Sequence, residues 1–184
     1  MNLHKCQTDQ PGFTLIELLA VLAVAALLTS VAVAGFNNIL ANIRMTSQVN
    51  HLVHTLHLAR QKARAIGTDI AICKSSTLRQ CEPDAHWHDG WLMFSNEDAD
   101  SPPRLDAGET LLAIGIAMQR LRVASTRRAF IMRPPGRRST NGSLIYCDQR
   151  GSDAARAVII SHTGKPRISP YSASGNALVC AQEQ

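Results

Sequence analysis

The chain has 184 residues, of which 45% are hydrophobic, and a net charge of +5. Once an N-terminal leader and anchor are set aside, that length leaves room for one globular domain and for no second domain of ordinary size. Charge is segregated: residues 67–119 carry three basic and nine acidic side chains, residues 120–184 eleven basic and three acidic. The C-terminal half is therefore a candidate surface for a polyanion.

The chain is organised around Gly12-Phe13-Thr14-Leu15-Ile16-Glu17-Leu18-Leu19 and the apolar residues that follow almost without interruption to Phe36. From Phe13 to Phe36 the only ionisable side chain is Glu17. An apolar run of this length predicts a membrane-spanning helix over residues 13–36. A carboxylate inside such a span costs roughly 2.5–3.5 kcal/mol and requires a partner. The candidate is an amine four residues away, at Phe13, which exists only if the chain is cut after Gly12. No Ala-x-Ala site follows a short apolar core, so an ordinary cleaved secretory signal does not fit.

This pattern resembles the class III signal of type IV pilins and type II secretion pseudopilins. The resemblance implies a leader of residues 1–12 removed by prepilin peptidase between Gly12 and Phe13, and N-methylation of Phe13. It also implies that Glu17 neutralises the N-terminal amine of a neighbouring subunit during assembly. The partners would be the other pilins of the filament. The precursor would cross the inner membrane once, with its domain in the periplasm, and the mature form would lie in a pilus or pseudopilus.

Residues 37–66 contain no proline and place Ile39, Leu40, Ile43, Val49, Leu52, Val53, Leu56, Ala59, Ala63 and Ile66 at spacings of three and four. This predicts an amphipathic continuation of the helix, stopped by Gly67, with Arg60, Lys62 and Arg64 suited to its C-terminal end. His51, His54 and His57 rotate by about 60° at each step of three, so they drift around the helix instead of converging on a metal.

Beyond Gly67 the pattern becomes extended. Strands are expected at 69–74, 91–95, 110–117, 121–125, 129–133, 143–147, 157–161 and 165–169, punctuated by Pro102-Pro103, Pro134-Pro135-Gly136, Asn141-Gly142 and Thr163-Gly164. The expected fold is α+β: a long N-terminal helix packed on an antiparallel β-sandwich, or pair of sheets, built from residues 67–184. Cys6 leaves with the leader, and Cys73, Cys81, Cys147 and Cys180 remain on the exported side of the membrane. Disulfides are the natural reading of that even number, with three connectivities open. Sequence proximity favours Cys73 with Cys81, and hence Cys147 with Cys180.

The exported part narrows the resemblance. Ala71-Ile72-Cys73, Cys81, Asp89-Gly90-Trp91-Leu92-Met93-Phe94, Tyr146-Cys147-Asp148-Gln149-Arg150-Gly151 and Thr163-Gly164-Lys165-Pro166-Arg167 look like the FimT/GspH group of minor pilins and pseudopilins. FimT-like members are associated with natural transformation and carry a C-terminal Gly-Arg-x-Arg motif that binds DNA. Gly164 and Arg167 match that motif, while Lys165 replaces its first arginine and loses the planar fork. The resemblance thus implies double-stranded DNA as a partner. A GspH-like structural pseudopilin and a minor pilin that primes assembly are the alternatives.

Physical chemistry adds its own case. A glycine turn lets backbone amides approach a phosphate, and Lys165 and Arg167, two apart, share one side of an extended segment. Arg150 and Arg156 flank a Gly-Ser-Asp loop, and Arg137 and Arg138 follow a Pro-Pro-Gly turn. Contacts from such residues to phosphates are independent of sequence and sensitive to salt. Gly164-Lys165 is no P-loop, because Pro166 stands where Ser or Thr is required. His86, His88, Asp89 and Cys81 sit beside two tryptophans, as in a loop packed on the sheets. Ser161 and His162, as strand neighbours, would face opposite ways. No catalytic residue, cofactor or metal is expected.

Overall fold

The computed structural model describes residues 12–116 and 118–180, with the backbone alone over 30–35. The leader, including Cys6, lies outside the described residues except for Gly12. Helix α1 runs over Leu15–Ile66. Its start is a reciprocal cap: the Thr14 amide and hydroxyl both donate to Glu17 Oε2 at 3.1 Å, and the Glu17 amide donates back to the Thr14 hydroxyl at 3.4 Å. Thr at the cap and Glu three positions later is the sequence signature of a capping box. Glu17 therefore already has a partner within its own chain, besides the amine expected of a neighbour. At the other end, Gly67 adopts φ +72° and its amide donates to the Ala63 carbonyl at 3.1 Å, closing the helix as a left-handed glycine cap.

The chain divides into two compact units, residues 1–42 and 43–184. In the first, the large apolar side chains from Phe13 to Leu28 stand more than half exposed, from 56% at Leu19 and Val24 to 88% at Phe13. Among the described residues no helix is long and apolar enough to cross a membrane. The side chains of 30–35, inside the expected span, are not among those described.

In the second unit, residues 43–66 of α1 bury Met45, Val49, Leu52, Leu56, Ala59 and Ala63, a strict alternation of fours and threes. Ile43 and Ile66, expected on this face, are 58% and 54% exposed: Ile43 lies off the stripe that begins at Met45, and Ile66 continues its spacing but is the last residue of the helix. Eight strands follow: β1 Asp69–Lys74, β2 Trp91–Asn96, β3 Leu111–Gly115, β4 Arg122–Ser125, β5 Ala129–Met132, β6 Gly142–Cys147, β7 Arg156–Ile160 and β8 Pro166–Ser169. They form two antiparallel sheets of four strands, in the orders β3-β2-β1-β5 and β4-β6-β7-β8.

Strand alternation sorts side chains into layers. Ile70, Ile72 and Met93 of one sheet join Leu144, Tyr146, Val158 and Ile160 of the other and the buried stripe of α1 in a single core. Ala71, Cys73, Leu92 and Phe94 face away into a second cluster, and Ala157 and Ile159 into a third with Leu178. Disulfides join Cys73 to Cys81 and Cys147 to Cys180. The acidic stretch of sequence supplies β1 to β3, and the basic stretch supplies all of the second sheet plus β5.

Candidate functional site

Three segments meet in the second unit: the end of α1, the β5–β6 connection with Pro134-Pro135-Gly136, and the β7–β8 turn. Pairing of β1 with β5 brings them together, because the register Ile70↔Met132 sets Arg133 beside Asp69. Asp69 is buried, its side chain 2% exposed, and both its oxygens are used: Arg133 Nε reaches Oδ2 at 3.2 Å and Arg137 Nη1 reaches Oδ1 at 2.8 Å. Arg133 also donates through Nη1 to the Arg138 carbonyl at 2.7 Å and through its amide to Ser139 Oγ at 3.0 Å, which fixes the loop. Asp69 is the buried member and both arginines are partly exposed, so the carboxylate ties the start of the loop to β1.

The β7–β8 turn docks on the same loop. The Ser139 amide donates to the His162 carbonyl at 2.8 Å, and Arg60 Nε of α1 donates to the Thr163 carbonyl at 2.9 Å. Ser161 and His162, expected as strand neighbours, belong to this turn: the Gly164 amide donates to the Ser161 carbonyl at 2.9 Å. Gly164 has φ +71°, and a Cβ there would come within 2.9 Å of Met132 Sδ and 3.1 Å of Ser139 Oγ. Glycine is required for the turn to close against the loop. The result is a pocket of about 430 Å³ lined by Arg60, Arg64, Arg133, Arg137, Arg138, His162 and Thr163, together with Pro134 to Gly136 and Ser139. Among the described residues no carboxylate pairs with Arg60, Arg64 or Arg138.

The other predicted cations take different positions. The Ser161 amide donates to the Lys165 carbonyl at 3.1 Å and Arg167 lies opposite Ile159, so Lys165 and Arg167 share the outer face of the β7–β8 hairpin, both exposed. Arg156, opposite Tyr146 at the start of β7, has the other parity, and its Nη1 donates to the Ala155 carbonyl at 2.8 Å. Arg150 is engaged by Asp148, with Nε 3.1 Å from both oxygens and Nη2 2.6 Å from Oδ2. Burial pushes the Asp148 carboxyl up, but the hydrogen bonds from Arg150 outweigh it and hold the group below the usual range. The same interaction raises Arg150. The candidate cations therefore divide: Arg138, Lys165 and Arg167 stand exposed without a carboxylate among the described residues, whereas Arg137 and Arg150 already hold one. Sequence reasoning missed Arg60, Arg64 and Arg133, though the i, i+4 spacing of the first two sets them on one helix face.

Other clusters have structural duties. Cys81 is in a disulfide, His88 Nδ1 accepts from the Val123 amide at 3.3 Å, and Asp89 Oδ2 accepts from the His86 amide at 2.8 Å. Asp98, Asp100 and Asp106 bring oxygens within 4.8 Å of one another on the β2–β3 connection. Burial, with those two neighbours adding, pushes the Asp100 carboxyl up.

The profile of the family described as "Type II transport protein GspH" matches residues 48–164, from the buried half of α1 to the turn glycine. The chain belongs to the GspH family. A second profile, the prokaryotic N-terminal methylation motif, matches residues 8–33 of this GspH-family chain. The fold is shared with the type IV minor pilin FimU of Pseudomonas aeruginosa PAO1, as shown by one of two matching crystal forms, the one with TM-score 0.50. One form has TM-score 0.50 and 19% identity over 68% of this chain and 88% of that one; the other has 0.49 and 18% over 68% and 92%. No curated protein matches the chain. Lys165 and Arg167 lie just beyond the residues that the GspH profile covers.

Proposed function

We infer that this GspH-family protein is a FimT-like minor type IV pilin that holds extracellular double-stranded DNA for uptake. The observation that carries the reading is the exposed pair Lys165 and Arg167 on one face of the β7–β8 hairpin, in a sheet built wholly from the basic half of the chain. Phosphates are met there by two cations with no carboxylate pairing to them among the described residues, Arg138 and Arg156 adding charge from other parts of the domain, and such contacts position a duplex without reading its sequence. Arg137 and Arg150 contribute field more than direct contact. The N-terminal motif supports cleavage between Gly12 and Phe13, methylation of Phe13 and insertion of the run 13–36 in the inner membrane. In the filament Glu17 would pass from its Thr14 cap to the amine of a neighbouring subunit. The role is one of binding and assembly, with no catalysis.

A second reading, a structural pseudopilin of type II secretion, is favoured by the description of the matching family. Titration of the mature full-length protein in non-ionic detergent with labelled duplex, at several salt concentrations, separates the two. The DNA reading expects binding with a log–log salt slope that falls by about 1.8 in K165A/R167A, at roughly 0.9 for each phosphate no longer neutralised. Absence of binding by the wild type at low salt gives first place to the secretion role. Mass spectrometry of the same material should find methylated Phe13 at the N-terminus, and a retained Met1 would overturn the pilin reading.

A further inference from the structure

We propose that the arginine pocket between the end of α1, the β5–β6 loop and the β7–β8 turn is a phosphate site that seats the sugar-phosphate backbone of DNA, with Arg64 and Arg138 gripping the anion. This rests on the nucleic-acid reading above and deepens it by naming where the backbone is anchored. Five guanidinium groups border one cavity of about 430 Å³. Asp69 holds two of them and spends both its oxygens doing so, so it preorganises the wall without competing for the others. Arg60 is held at one nitrogen by the Thr163 carbonyl, while Arg64 and Arg138 are exposed and have no carboxylate among the described residues.

Like charges gathered in this way repel, and an anion seated among them relieves the repulsion. The carboxyl end of α1 contributes about half a negative charge nearby, which offsets only part of it. The planar guanidinium fork suits the paired oxygens of a phosphate better than an ammonium does. The lining also speaks against a protein partner. Docked proteins need a central aromatic or aliphatic anchor, and this cavity offers only Pro134 and Pro135, which suit packing on a sugar ring.

The test uses full-length protein in non-ionic detergent and fluorescent duplex DNA from about 50 to about 200 mM salt, comparing R64A/R138A with K165A/R167A. The expected result is a salt slope lower by about 1.8 in R64A/R138A, at 0.9 per phosphate released. R64K/R138K keeps the charge, so it should keep the slope while binding less tightly; this separates removal of charge from damage to the fold. A normal slope in R64A/R138A beside a lowered one in K165A/R167A overturns the pocket and leaves the DNA reading standing. Failure of the wild type to bind duplex overturns both.

Discussion

Glu82 shows how much one side chain settles in this protein. It lies next to Cys81 at the end of the loop closed by the first disulfide, and its carboxylate accepts from the Ser76 hydroxyl, from the Ser76 amide at 2.8 Å and from the Thr77 hydroxyl at 2.6 Å. Those bonds, the Ser76 hydroxyl first, lower its pKa to about 2 from an ordinary 4.5. A depressed carboxyl stabilises the fold above its unfolded pKa and loses that contribution as pH falls through the folded value. The loop should therefore stay ordered through the range in which ordinary glutamates titrate and loosen only towards pH 2. Carbon-detected NMR of the Glu82 carboxyl should give a midpoint near 2, and a midpoint near 4.5 would show that the cap is not formed. Glu17 and Arg150 teach the same lesson. The sequence presents each as a group awaiting an external partner, yet each is already bonded, to Thr14 and to Asp148, at a separation of two or three residues. The Thr-x-x-Glu and Asp-x-Arg spacings stand in the sequence, and their local geometry makes the bonds predictable.

At the scale of the element, α1 and the strands are legible because their periods differ. The eight expected extended segments coincide with β1 to β8 to within two residues at either end. What the 3.6-residue period cannot give is the rotational setting of α1. Its buried stripe takes in Met45, which the spacing did not single out, and omits Ile43, because the two sheets choose which arc of the helix they cover. This difference is measurable. Leu56→Ala removes a fully buried side chain from the common core and should cost about 3–5 kcal/mol, whereas Ile43→Ala should change stability by about 0.5 kcal/mol or less. Urea unfolding with unchanged slope would show it, and equal losses at the two positions would contradict the setting of the helix.

For the whole molecule, the two disulfides act on very different lengths of chain. Cys73–Cys81 closes a separation of 8 residues and Cys147–Cys180 one of 33, the second tying the C-terminal segment over Ala155, Ala157 and Ile159. On the chain-entropy account, removing them costs about 2.5 and about 4 kcal/mol. C147S/C180S should accordingly unfold at lower urea than C73S/C81S, and the reverse order would mean that native packing of the short loop matters more than chain entropy. The sequence by itself determined the apolar N-terminal run with its single glutamate, the helix, the strands and the division into acidic and basic halves. All of these depend on residues close together along the chain, where propensity, period and composition act directly. Only the tertiary structure decided which cations share a site. Arg60 and Arg64 meet Arg133, Arg137, Arg138 and the Thr163 turn because β5 crosses to pair with β1. Such a pairing is chosen by burial of both sheets against one helix, and local periodicity carries no record of it.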